Sequence, residues 1–75
     1  MLYSANGEYD KAAQLYVDGL KRNPDAEAYN NLGIIYGQLK RYDLARAAFE
    51  QAIKLNPNDQ KARNNLNLLQ KMIGQ

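Results

Sequence analysis

The sequence contains no cysteine and no histidine in 75 residues. These absences remove disulfide bridges, thiolate metal sites, the usual zinc ligands, the cysteine nucleophile and the commonest general base. Only carboxylate, lysine, tyrosine or serine chemistry is left, so the composition points away from an enzyme, with no cofactor and no metal expected. No apolar run approaches the roughly 20 residues of a membrane span. Met1 to Asp10 also lacks the basic start and apolar stretch of a signal peptide. A membrane partner is therefore not expected, and the compartment is left open with the cytoplasm as default. Charge of one sign is nowhere concentrated. The net charge is +2, but Lys11, Lys21, Arg22, Lys40, Arg41, Arg46, Lys54, Lys61, Arg63 and Lys71 are interleaved with acidic residues along the whole chain. That pattern describes a solvated mixed surface and gives no basic stripe for nucleic acid.

What the chain does contain is internal repetition. Tyr9-Asp10-Lys11-Ala12-Ala13-Gln14-Leu15-Tyr16 aligns without gaps on Tyr42-Asp43-Leu44-Ala45-Arg46-Ala47-Ala48-Phe49, and Lys21-Arg22-Asn23-Pro24 aligns on Lys54-Leu55-Asn56-Pro57, at an offset of 33 residues. A unit of that length cannot bury its own apolar face and must stack on neighbours, so the period implies a solenoid. Apolar residues recur at intervals of three and four: Ala12, Leu15, Tyr16, Gly19 and Leu20; Tyr29, Leu32, Gly33, Tyr36 and Leu39; Ala45, Ala48, Phe49, Ala52 and Ile53; Ala62, Leu66, Leu69 and Ile73. Each set is one helical stripe. The spacing predicts helices near residues 8–22, 26–39, 42–55 and 59–73, with breaks at Asn23-Pro24-Asp25 and Asn56-Pro57-Asn58-Asp59. Proline there keeps the preceding residue out of the helical region, and an Asp or Asn can cap the helix that follows. A tighter turn is expected near Lys40-Arg41. Pro24 to Tyr29 is one residue shorter than Pro57 to Arg63, so the first break should be tighter than the second.

Tyr29-x-x-Leu32-Gly33-x-x-Tyr36, then Ala45-x-x-x-Phe49, then Pro57, resembles the tetratricopeptide repeat signature, with tyrosine where that family usually has tryptophan. The resemblance implies an all-α fold, with antiparallel helix-turn-helix repeats stacked as a short right-handed solenoid. It divides the chain into a truncated first repeat over 1–25, a complete repeat over 26–59 and a closing helix over 60–75. Gly33 inside a helix costs about 1 kcal/mol relative to alanine and needs a packing reason. Close approach of two antiparallel helices at Gly33 and Ala45, with Tyr29, Tyr36 and Phe49 on the flanks, supplies one. On the closing helix the equivalents of Tyr29, Gly33 and Tyr36 are Arg63, Asn67 and Gln70. Such a polar outer face suits the end of a solenoid.

By the same resemblance, first helices of successive repeats line a concave groove that binds a peptide or protein segment. Glu27, Asn30, Asn31, Ile34 and Gln38 would face it, continued by Lys61, Asn64, Asn65 and Leu68. Asparagine suits this role because its amide both donates and accepts hydrogen bonds and can hold a peptide backbone. Asn31 and Lys61 also fall on positions of the carboxylate clamp found in chaperone-binding members, although Asn65 stands where the clamp arginine would be. The alternative is an RNA-binding repeat of the pentatricopeptide kind. Gly33, Ala45 and the Asn-Pro turns fit the tetratricopeptide pattern better, so no nucleic acid is expected. At the other end, Met1 to Ala5 aligns with only the last turn or two of a first helix. Leu15, Tyr16 and Leu20 are therefore expected to lack a covering partner, and the chain to be the C-terminal part of a longer array or a homo-oligomer that self-associates through its N-terminal end.

Overall fold

A computed structural model describes the backbone of residues 2–74 and the side chains of residues 7–74. Four α-helices follow one another: α1 (Leu2–Arg22), α2 (Ala26–Gln38), α3 (Tyr42–Leu55) and α4 (Gln60–Met72). No strand occurs among the described residues, and the fold is an all-α helical repeat. α2 packs against α1, α3 and, more lightly, α4; α3 packs against α4; α1 and α3 flank α2 without close backbone approach to each other.

The breaks have the chemistry that their residues dictate. Asp25, directly after Pro24, is extended and caps α2, its Oδ1 accepting from the Glu27 N–H at 3.3 Å. Asp59, two residues after Pro57, caps α4 in the same way through the Lys61 N–H at 2.9 Å. Each cap satisfies one of the free N–H groups of a helix start. The shorter connection therefore falls at the first break, as the residue count requires. Between α2 and α3 the chain reverses at Lys40, which sits in the left-handed region at φ 62. The Lys40 N–H donates to the Gly37 carbonyl at 3.0 Å, and the Arg41 N–H to the Tyr36 carbonyl at 2.9 Å. This pair of bonds is a Schellman turn, and it uses two carbonyls that the helix end leaves free.

α1 begins at Leu2 and not near residue 8. Leu2 to Asn6 thus continue α1 and do not form the end of a separate helix; Met1 lies outside the described residues. The difference is visible at Gly7, which the 33-residue offset places opposite Lys40. At Lys40 the turn returns the chain so that α3 can bury its apolar face on α2. Gly7 is helical, and a Cβ there would meet nothing within 4 Å among the described residues.

The core has two parts. Ala13, Leu20, Leu32 and Ala48 form the first, with Tyr16, Val17, Ala28, Tyr29, Ile35 and Tyr36 packed around it. Ala45, Phe49 and Leu69 form the second, with Tyr36, Tyr42 and Leu66. Tyr36 belongs to both and joins them. The signature residues Tyr29, Leu32, Gly33, Tyr36, Ala45 and Phe49 are thus core or core-flanking, while Pro57 stays in the exposed turn, where its carbonyl accepts from Arg63 Nε at 3.0 Å. Phe49 does not stand on the flank of Gly33. A Cβ on Gly33 would meet ring carbons of Phe49 at 2.5, 2.7 and 2.8 Å, so the aromatic ring itself lies over the glycine.

Candidate functional site

Two helices that start at capping aspartates, α2 and α4, frame a trough. At its polar end lies a cavity of about 710 Å³, lined by Glu27, Asn30, Asn31 and Ile34 from α2 and by Lys61, Asn64 and Asn65 from α4. Helical spacing puts these residues on one face of each helix. The cap residues Asp25 and Asp59 line the same cavity, together with Ala26 and Asn56. Further along lies a more apolar cleft of about 340 Å³, to which Ile34, Gln38, Leu68 and Met72 contribute, with Gly37 and the Phe49 ring in its wall. Ile34 and Asn65 line both cavities and make the trough continuous. All nine residues assigned to a groove from sequence therefore line one trough. Met72, one turn after Leu68 in the same helical stripe, also lines the trough and was not assigned to it from sequence, nor were the cap residues Asp25 and Asp59.

The asparagines do unequal work. Asn30 is only 5% exposed, and its Oδ1 accepts from Asn65 Nδ2 at 2.9 Å, a bond that ties α2 to α4. A buried amide needs such a partner, because leaving it unpaired costs roughly 1–3 kcal/mol. Asn30 is therefore as much a strut as a groove residue. Each amide of the pair keeps one group out of the mutual bond: Asn30 Nδ2 as a donor and Asn65 Oδ1 as an acceptor. Asn31 is half-buried and its Nδ2 donates to the Tyr16 hydroxyl at 3.4 Å, linking α2 to α1. Asn64 and Lys61 are exposed.

Electrostatically the polar end holds three carboxylates, Asp25, Glu27 and Asp59, against the single ammonium of Lys61. Its field disfavours an anionic guest. The clamp positions fit poorly on this count as well as on sequence: Asn65 carries no charge, and its Nδ2 donates to Asn30. Among the described residues no group of acidic side chains is arranged to hold a metal ion.

The N-terminal residues need a correction. Leu20 is 7% exposed and packs in the first core cluster with Leu32 and Ala48, so it is not part of a bare strip; α2 reaches far enough along α1 to cover it. Tyr16 is half-buried. Leu15, at 72% exposure, is the residue of the three that stands open.

Two models of the tetratricopeptide repeat match the sequence, one over residues 26–59 and one over residues 1–26. The chain belongs to the tetratricopeptide repeat family. Among curated relatives, this tetratricopeptide chain is 40% identical over 60 residues to Protein bimA of Emericella nidulans, a match covering 76% of the chain and 7% of that protein. It is 33% identical over 75 residues to the Peroxisomal targeting signal receptor of Candida glabrata, covering 99% of the chain and 13% of the receptor. The chain thus spans a small part of the relatives it matches. No helix among the described residues is long and apolar enough to cross a membrane.

Proposed function

We propose that this chain is a protein-interaction scaffold, not an enzyme, that holds an extended peptide or protein segment in the trough between α2 and α4. The observation that carries the reading is the Asn30–Asn65 pair. With their mutual bond made, the Asn30 NH2 group is left to donate and the Asn65 carbonyl to accept, able together to meet the C=O and N–H of a peptide group. An apolar side chain of the same segment fits the cleft of Ile34, Leu68 and Met72. The carboxylates at the polar end favour neutral or basic neighbours and work against both a terminal carboxylate and RNA. One relative is, by name, a receptor for a targeting signal.

A comparison of the faces of α1 and α3 supports membership of a longer array. Ala12, Leu15, Tyr16 and Gly19 of α1 correspond, 33 residues on, to Ala45, Ala48, Phe49 and Ala52 of α3, all four of which are buried. A further helix shaped like α2 would cover the α1 set. On α4, by contrast, Arg63 and Asn67 are exposed and Gln70 is half-buried, which suits a closing helix.

The test is selection of peptides from a random display library on the immobilised chain, followed by NMR titration. Selected peptides are expected to share an apolar residue with neutral or basic neighbours, to shift Asn31, Ile34, Asn64 and Leu68, and to lose binding to Leu68→Glu. Peptide-induced shifts confined to Arg46, Glu50 and Lys54, or preference for an acidic C-terminus, would overturn the reading. Binding of a homopolymer RNA with a steep salt dependence would favour the RNA alternative.

A further inference from the structure

α1 and α3 occupy the same repeat position, yet their exposed sides differ in chemistry. On α1 that side carries Lys11, Gln14, Asp18 and Arg22, and Gln14 Nε2 donates to Asp18 Oδ1 at 3.1 Å. Thirty-three residues on, α3 carries Leu44, Ala47, Gln51 and Leu55. A leucine replaces a lysine at one end, and a leucine replaces an arginine at the other. Leu44 and Leu55 are each 47% exposed, and spacings of three and four place the set in one stripe. Eleven residues separate the leucines, about 16 Å of helix. A small apolar cleft of about 160 Å³ adjoins the stripe, floored by Tyr29, Leu32 and Tyr36.

The stripe has a property that selects its occupant. A leucine stands at each end, with Ala47 and Gln51 between, so the two ends match when the stripe is turned end for end. Two copies packed antiparallel about a two-fold axis would set Leu44 against Leu55 of the second copy, twice, with the exposed Gln51 nearest the axis and the small Ala47 beside it. Charge points to the same arrangement. Asp43 and Lys54 each precede a stripe leucine by one residue and so lie on the same flank; both are exposed. The ion pair within the chain, among the described residues, is Arg41 with Asp10 and involves neither of them. In an antiparallel pair like flanks meet, and Asp43 faces Lys54 of the second copy on both sides of the axis. A parallel pair would bring unlike flanks together and leave both charges without this partner. We infer that α3 is a homodimerisation helix, pairing antiparallel with α3 of a second copy through Leu44 and Leu55, neither of which lines the peptide trough.

A contact one helix long lies at the small end of specific interfaces, so the test is sedimentation velocity of this chain over a concentration series reaching high micromolar. A monomer–dimer equilibrium is expected. Leu44→Glu with Leu55→Glu should abolish the dimer while circular dichroism shows the helices intact; Leu15→Glu on α1 should leave it unchanged. Asp43→Lys alone should weaken association roughly tenfold, because two rim pairs are reversed at once, and adding Lys54→Asp should restore it. A monomer at every concentration overturns the inference. So does a dimer that survives the leucine pair of substitutions, one lost with Leu15→Glu, or one that the double charge reversal fails to restore.

Discussion

α1 and α3 hold equivalent places in successive repeats, but their equivalent residues meet different fates. Ala45 and Ala52 are fully buried, Phe49 and Ala48 nearly so; their counterparts Ala12 and Tyr16 are half-buried, and Leu15 and Gly19 are exposed. The residue types scarcely explain this, since leucine is more apolar than the alanine it matches. The difference lies in what stands opposite. α3 has α2 across from it, held there by the Lys40 turn, whereas at Gly7 α1 simply continues as helix. Burial in a solenoid is thus conferred by the neighbouring helix, and a sequence stripe only states which face will accept one.

The sharpest way to break this comparison is to delete the matched aromatics. Phe49→Ala removes a ring buried between Gly33 and Leu69 and should cost about 3–5 kcal/mol by urea or thermal denaturation. Tyr16→Ala should cost distinctly less, since its ring is less deeply buried than that of Phe49 and its hydroxyl makes one long bond to Asn31. Equal losses would mean that α1 is covered as well as α3.

Glycines sharpen the contrast at smaller scale. Gly33→Ala drives a Cβ into the Phe49 ring and should destabilise by about 1–3 kcal/mol. Gly19→Ala, at the place where α3 has Ala52, meets nothing within 4 Å and should stabilise by about 0.5–1 kcal/mol through helix propensity. Melting temperatures that move in the same direction for both would contradict the packing.

The smallest effects belong to the turn and its counterpart. Lys40→Gly relieves a left-handed residue and should stabilise by about 1 kcal/mol. Gly7→Ala should also stabilise, by about 0.5–1 kcal/mol, because α1 is helical through that position. A loss of stability with Gly7→Ala would show that the chain turns there as it does at Lys40.

Much of the architecture was legible before any coordinates. The 33-residue offset, the Asn-Pro breaks and the stripes at three and four locate four helices and their caps, because these are local properties of the backbone. The trough was legible too, since its lining residues follow one face of α2 and of α4. What escaped depends on contacts between helices. The burial of Asn30 and its bond to Asn65 join residues 35 apart, and nothing in either segment's periodicity announces that meeting. Leu20 looked bare because the reach of α2 along α1 depends on the tightness of the Pro24 turn. Phe49 was placed beside Gly33 and not over it, because ring orientation is settled by packing.

The hydrogen bond between Asn30 and Asn65 also has a mechanical side. Apolar faces give smoothly: one helix can creep along another while side chains exchange contacts of similar worth. A short amide bond gives no such latitude, since displacement by one helical turn, about 5.4 Å, carries its donor wholly out of reach. Single buried asparagines fix the alignment of coiled coils for this reason. Here the pair acts as a detent between α2 and α4. It lets the two helices come to rest at a single setting.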